Sequence, residues 1–326
     1  MLEDTYNRSH NYLRISLTDN CNLRCFYCMP EEEYAFMPNQ QLMQADEMVS
    51  IAKIFIANGV NKIRLTGGEP LVRKDAAHII RALGALDVEL TITTNATRVH
   101  HFIEDFETAG IRSVNISLDT LQKEKFQLIT RRDQFDTVKN NIDLLLQRKF
   151  HLKVNVVVVK GLNDLEILDF IEWTKTTPID LRFIEFMPFD GNHWKSDKLV
   201  TWQEMLTLIS SKYTIEAKTN APHDTSKNYT IKNHLGSFGV ISTMSAPFCT
   251  GCNRIRLTAD GKIKNCLFSQ GETDLLRAFR EGKDLLPLIK ESILGKHKEL
   301  GGQFSKDFSL INADDLHNRS MIAIGG

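Results

Sequence analysis

The 326-residue chain lacks any apolar run approaching the length of a membrane span. Its opening, MLEDTYNRSHNYLRIS, is polar and carries acids early, so it reads as neither a signal peptide nor a transit peptide. Net charge is nearly absent, at −1. Without an excess of basic residues the chain offers no obvious surface to nucleic acid or to an anionic membrane. Repeats at solenoid period and low-complexity tracts are missing as well. What is left, 42% hydrophobic and 25% charged residues, is the composition of a soluble globular chain. Its length suits one large α/β domain with a smaller appendage, or two domains. The cytoplasm is the expected compartment, and monomer and homodimer both remain open.

Cysteine is scarce too, and it is clustered. The six fall into two trios with none left over: Cys21, Cys25 and Cys28 in CNLRCFYC, then Cys249, Cys252 and Cys266. A reducing compartment disfavours disulfides. Chance burial does not gather thiols at x3 and x2 spacing, so both trios read as metal or cluster ligands. Each is one short of the four ligands that a structural zinc or an iron–sulfur cube takes. A histidine could complete a zinc site at the second trio, but His234 and His317 do not stand at ligand spacing.

Short strand-like runs alternate with helical patterns through the first half of the chain. Strands are predicted at 13–18, 62–66, 90–94, 113–118, 153–159 and 181–186, and the clearest helices at 45–58, 99–109, 135–148 and 165–176. Such a βα series argues for parallel strands in a partial barrel or a doubly wound sheet. The first five strands alternate apolar with polar residues, whereas strands of an open parallel sheet read as continuous apolar runs. Their polar faces, carrying Arg14, Lys62, Arg64, Thr93, Ser117 and Lys153, then share one lumen. That lumen must be a wet cavity that holds an anion, because unpaired buried charges are too costly. The sixth strand does not alternate cleanly. After residue 187 the pattern changes to a loop, a helix near 202–211 and short strands. Ala259-Asp260-Gly261 signals a hairpin that returns Cys266 toward Cys249 and Cys252. The expected division is residues 1–187 as a barrel with the first trio and 188–326 as an extension with the second.

The first trio follows the first strand, Tyr27 stands before its third cysteine, and TGGEP (Gly67, Gly68, Glu69, Pro70) ends the second strand. Together these resemble the signature of radical S-adenosylmethionine (SAM) enzymes. YLRISLTDNCNLRCFYCMP, IRLTGGEPLVRKD, VNISLDTL, KVNVVVVKGLND, LRFIEFMP, FCTGCNRIRLTADGKIKNCLF and the final IGG are similar, in order, to the GTP 3′,8-cyclase family of molybdenum cofactor biosynthesis.

That resemblance implies an α/β fold, a partial (βα)6 barrel of the TIM type with a C-terminal extension carrying a second [4Fe–4S] cluster. Cys21, Cys25 and Cys28 would hold the cluster that binds SAM, with contacts from Tyr27, Gly68, Glu69, Ser117 and Met187. Cys249, Cys252 and Cys266 would hold the other. GTP would lie against Arg14, Arg64, Thr93, Lys153, Arg254, Ile255 and Arg256, with Lys62 and Arg182 as further triphosphate contacts. Arg254, Arg256, Gly325 and Gly326 are the implied catalytic group, the glycines as a tail inserted into the site. A reducing electron donor and a downstream pterin-forming enzyme are the implied partners. Two departures from the family pattern are visible: Asn20 where Arg is usual, and Ala96 where Gly is usual. A peptide-modifying radical SAM enzyme with an auxiliary cluster, or a non-enzymatic iron–sulfur or zinc protein, would also use such cysteines.

Overall fold

A computed structural model of the chain describes residues 1–30, 34–304, 307–311 and 318–325. Gly326 and His317 therefore lie outside the described residues. The first part of the chain runs β1 (Tyr12–Ser16), α1 (Ala45–Ala57), β2 (Lys62–Thr66), α2 (Ala76–Gly84), β3 (Glu89–Thr94), α3 (Ile103–Thr108), β4 (Ser113–Ser117), α4 (Lys123–Thr130), α5 (Phe135–Gln147), β5 (His151–Val158), α6 (Ile167–Thr176) and β6 (Ile179–Glu185). The rest adds α7 (Trp202–Ser210), β7 (Ile215–Ala217), β8 (Lys227–Ile231), β9 (Ser237–Ile241), β10 (Arg254–Leu257), β11 (Lys262–Lys264), β12 (Thr273–Asp274), α8 (Leu275–Arg280), α9 (Leu286–Leu294) and α10 (Met321–Ile324).

Among the described residues, the twelve strands form one sheet in the order β12-β11-β10-β1-β2-β3-β4-β5-β6-β9-β8-β7. The strands from β1 to β6 are parallel neighbours. β10 joins parallel to β1, and β9 joins parallel to β6. Antiparallel pairings β10–β11–β12 and β9–β8–β7 finish the two edges. β12 and β7 do not pair with each other, so the barrel is partial. Residues beyond 187 thus extend the same sheet at both edges.

Alternation decides which way each side chain turns. On β5, Leu152, Val154, Val156 and Val158 are buried, while Lys153, Asn155 and Val157 are only half-buried. The same division on β1 to β4 sends Leu13, Ile15, Ile63, Leu65, Leu90, Ile92, Val114 and Ile116 into one core with Phe55, Ile79, Phe106 and Phe170 of the helices. The structure corrects the reading of the sixth strand. β6 alternates in burial along its whole length, with Arg182 and Ile184 on the cavity side. The sequence looks irregular because Ile184 faces the cavity and Glu185 faces inward. Buried Glu185 accepts hydrogen bonds from the backbone of Trp202 at 2.8 Å, Met244 at 2.7 Å and Ser245 at 2.9 Å. Two helices that the periodicity did not single out, α2 and α4, complete the βα series. The helix expected over 99–109 is a 3-10 turn, Val99–His101, followed by α3. Among the described residues no helix is long and apolar enough to cross a membrane.

Candidate active site

Both cysteine trios open onto one cavity of about 550 Å³ on the polar side of the sheet. The first trio lies in the loop after β1. That loop is pinned from three directions. Arg24 N and Phe26 N donate to Thr130 O and Ile129 O at the end of α4, at 2.9 and 3.2 Å. Gly68 N and Glu69 N, just past β2, donate to Thr18 O at 2.7 Å and Asn20 O at 2.8 Å. Tyr27 hydroxyl donates to Asp119, beyond β4. A side chain at Gly68 would place Cβ 2.5 Å from the carbonyl oxygens of Asp19 and Asn20, so only glycine admits this approach. Exposed Asn20 acts here through its backbone carbonyl, which any residue supplies; its departure from Arg leaves the stitch intact.

The second trio sits where β10 and β11 fold into the expected hairpin, with Arg256 opposite Lys264 and Leu257 opposite Ile263. Gly261 takes φ 72° in its turn. Burial pushes the Cys21 thiol up to about 12, with the Glu69 charge adding to it, and raises Cys25 and Cys28 as well. A bound cation would reverse that push, and six free thiols in two trios on one cavity are a donor set that an iron–sulfur cluster accepts. Among the described residues no three His, Cys, Asp or Glu side chains gather closely enough to hold a single metal ion. An iron–sulfur cube takes its thiolates on separate corners and needs no such gathering. His234, the described zinc candidate, faces Thr174 Oγ1 at 2.8 Å and packs against Tyr213.

Between the trios the cavity wall is cationic. Arg14, Lys62, Arg64, Lys153, Arg182, Arg254 and Arg256 all line it. Parallel register sets Arg256, Arg14 and Arg64 abreast on β10, β1 and β2. Lys153 of β5 stands abreast of Asn115, and Arg182 of β6 abreast of Asn155. Lys62 pairs with Glu89 at 2.6 Å. Burial, followed by the charges of Arg182 and Arg64, brings Lys153 down to about 8. Burial and the Arg254 charge bring Arg256 down to about 10. Arg14 is depressed by burial and by Arg256. Tyr12 feels burial as an upward push, but Arg64 and Arg14 outweigh it and take the phenol down to about 8. Such mutual repulsion is relieved by a polyanion in the cavity.

Four amide oxygens on the same wall, Oδ1 of Asn115, Asn155, Asn253 and Asn265, are buried without a hydrogen-bond partner among the described residues. Buried acceptors are rarely left unmatched, so the wall fits a ligand that brings N–H or O–H donors. Asn115 and Asn155 stand two residues from Ser117 and Lys153 on β4 and β5 and so share their faces, whereas nothing in the sequence marks Asn253 and Asn265.

Of the residues named from the sequence, Tyr27, Gly68, Thr93, Ser117, Met187, the seven cations and all six cysteines line the cavity. Glu69 does not. Its fully buried carboxylate accepts from Leu71 N at 3.0 Å, Asn95 N at 2.6 Å and Thr94 Oγ1 at 2.8 Å, bracing the ends of β2 and β3. Ile255 does not either. Between Arg254 and Arg256 it must face the other way, and it is buried in the core. Gly325 sits at the edge of the site. Its carbonyl accepts from Arg256 Nη1, and its φ is 85°. Ala96 also takes a left-handed φ, 62°, where glycine would carry no strain. Its carbonyl is held by Asn141 Nδ2 at 2.6 Å.

The chain resembles known proteins along its whole length. Residues 15–174 match the Radical SAM superfamily, and residues 179–301 match Molybdenum Cofactor Synthesis C. The chain is 44% identical to GTP 3′,8-cyclase, mitochondrial, of Arabidopsis thaliana, over all of this chain and 84% of that one. It is 42% identical to GTP 3′,8-cyclase of Listeria welshimeri, over 91% of each chain. Molybdenum cofactor biosynthesis protein 1 of Dictyostelium discoideum is 43% identical, and the chain spans about half that relative's length, 52%. The crystal structure of Streptococcus suis SuiB shares the fold, with a TM-score of 0.67 at 16% identity, over 89% of this chain and 68% of that one. The chain belongs to the GTP 3′,8-cyclase family of the radical SAM superfamily.

Proposed function

We propose that the chain itself joins C3′ of the ribose to C8 of the guanine in GTP, giving (8S)-3′,8-cyclo-7,8-dihydroguanosine 5′-triphosphate. SAM is consumed to methionine and 5′-deoxyadenosine in this reaction, the first step of molybdenum cofactor biosynthesis. The observation that carries the reading is the cationic wall, with its unmatched amide oxygens, lying between two cysteine trios in one cavity.

Cys21, Cys25 and Cys28 hold one [4Fe–4S] cluster, and Cys249, Cys252 and Cys266 hold a second. At the first, with SAM bound, the chemistry supplied is one-electron cleavage of the sulfonium to an organic radical. The protein's part is position and exclusion of water. Tyr27, Gly68, Ser117 and Met187 border SAM. Arg14, Arg64, Lys153, Lys62 and Arg182 take the triphosphate by charge-assisted hydrogen bonds. The asparagine oxygens accept from the ribose and the base. Arg254 and Arg256 face the second cluster, and Gly325 closes that side. Residues 1–187 form the barrel part and 188–326 the extension. A reduced electron carrier and a downstream enzyme that rebuilds the product as a pterin are the partners, in the cytoplasm.

The test is product analysis. Reduced, cluster-loaded protein with SAM and GTP yields the cyclised nucleotide by mass spectrometry. SAM cleavage with GTP returned unchanged would sink the substrate assignment. Loaded protein holds about eight irons per chain; roughly four irons with one zinc would remove the second cluster from this reading.

A further inference from the structure

The second trio is wrapped by two stretches that supply none of its cysteines. One is the start of the chain. Asp4, Arg8 and His10 are all buried there. Arg8 Nε donates to Asp4 Oδ2 at 2.6 Å, and the same oxygen lies 3.1 Å from His10 Nε2. The terminal nitrogens of Arg8 donate to three carbonyls: Cys249 at 2.8 Å, Lys298 at 2.8 Å and His297 at 2.9 Å. One guanidinium thus ties a cluster cysteine to the segment after α9.

That segment, the second stretch, reaches the sulfurs themselves. Leu300 N donates to Cys249 Sγ at 3.5 Å. Lys296 Nζ donates to Cys252 Sγ at 3.4 Å and to Arg254 O at 2.9 Å. Lys296 is only 4% exposed. Lysine is almost never buried without a compensating anion. Among the described residues no carboxylate forms an ion pair with it, and the group of anionic character within its reach is the Cys252 sulfur.

We infer that Lys296 is a positioning residue that raises the reduction potential of the cluster held by Cys249, Cys252 and Cys266. The inference rests on reading that trio as cluster ligands. A hydrogen bond to a ligand sulfur and a nearby positive charge both favour the reduced, more negative form of a cluster. Removing them shifts the potential to more negative values.

The full-length chain with Cys21, Cys25 and Cys28 all changed to Ser isolates the second site. In that background the midpoint potential is measured by electron paramagnetic resonance during a redox titration, a readout independent of turnover. Lys296→Met shifts the midpoint negative, Lys296→Gln shifts it less because a donor remains, and Lys296→Arg restores it. Iron content stays at about four per chain throughout. A midpoint unmoved in both the Met and Gln variants overturns the inference. So does loss of iron from both, which would make Lys296 a structural brace. Iron absent from the triple-Ser parent would overturn the two-cluster reading itself, an outcome that the iron count separates from an unmoved potential.

Discussion

Lys153 carries a charge that its neighbours make conditional. Burial, Arg182 and Arg64 hold it at about 8 in the free protein. A bound triphosphate reverses the sign of that field and raises the value. Affinity for GTP therefore falls as pH climbs through about 8, because binding must then take up a proton. Calorimetry at pH 8 to 9, in buffers of different ionisation enthalpy, reads that uptake directly. Tyr12, also near 8, takes up a proton of its own, so Tyr12→Phe serves as the control. The Lys153 share survives in Tyr12→Phe and disappears in Lys153→Ala. Lys153→Ala also weakens GTP binding roughly 10- to 100-fold, the worth of one charged hydrogen bond, and leaves SAM cleavage in place. Uptake that persists in full in Lys153→Ala would refute the assignment. Strand alternation made Arg14, Arg64, Thr93 and Lys153 readable before any coordinates, since period two fixes the face. The Ile255 side chain faces away from the cavity because neighbours in a strand point oppositely, whereas Glu69, past the end of β2, turns its carboxylate onto Leu71, Thr94 and Asn95. The sequence could not pair Arg8 with Cys249, because nothing local joins residues 241 positions apart.

Elements announce themselves by period, and the shorter or more irregular ones do not. The alternating strands were legible, as was the β10–β11 hairpin from its Ala-Asp-Gly turn. α10, at four residues, is too short to show a period. It is placed instead by distant partners. Arg319, just before it, forks onto Asp260 of the hairpin turn at 2.8 and 2.9 Å, and Ser320 Oγ meets Tyr34 hydroxyl at 2.9 Å. Ile322 and Ile324 are buried, which delivers the Gly325 carbonyl to Arg256. A Cβ at Gly325 would lie 2.7 Å from Thr66 Oγ1 and 2.9 Å from Ser16 Cβ, at a φ of 85° that side chains rarely adopt. Gly325→Ala therefore unseats the tail. Amide exchange over residues 321–325 speeds up, and GTP turnover drops by roughly tenfold or more, with iron content unchanged. A strained position of this kind costs on the order of 1–3 kcal/mol, enough for that loss. Unaltered exchange together with unaltered turnover would show that the tail tolerates the methyl group.

At the scale of the whole molecule, the sheet brings together charges from both ends of the chain. β10 comes from beyond residue 187, yet it lies parallel beside β1 and sets Arg256 level with Arg14, which is level with Arg64. Seven cations on one wall oppose folding through self-repulsion while the cavity holds only water and small ions. A polyanion there should stabilise the chain more than its size suggests. At a hundred times its dissociation constant, any ligand of the folded state adds about 2.7 kcal/mol, on the order of 5 °C in melting temperature for a large domain. GTP and inorganic tripolyphosphate should both raise the melting temperature of the anaerobic, cluster-loaded protein. Guanosine, which lacks the phosphates, should raise it less. Salt separates the contributions: the tripolyphosphate effect shrinks between low and high ionic strength as the Debye length shortens, while the guanosine effect, built on hydrogen bonds and packing, stays. Arg64→Ala should reduce the tripolyphosphate shift and spare the guanosine shift. A tripolyphosphate shift that is absent at low salt, beside an intact guanosine shift, would mean the wall does not bind phosphate and that its charges are balanced within the protein.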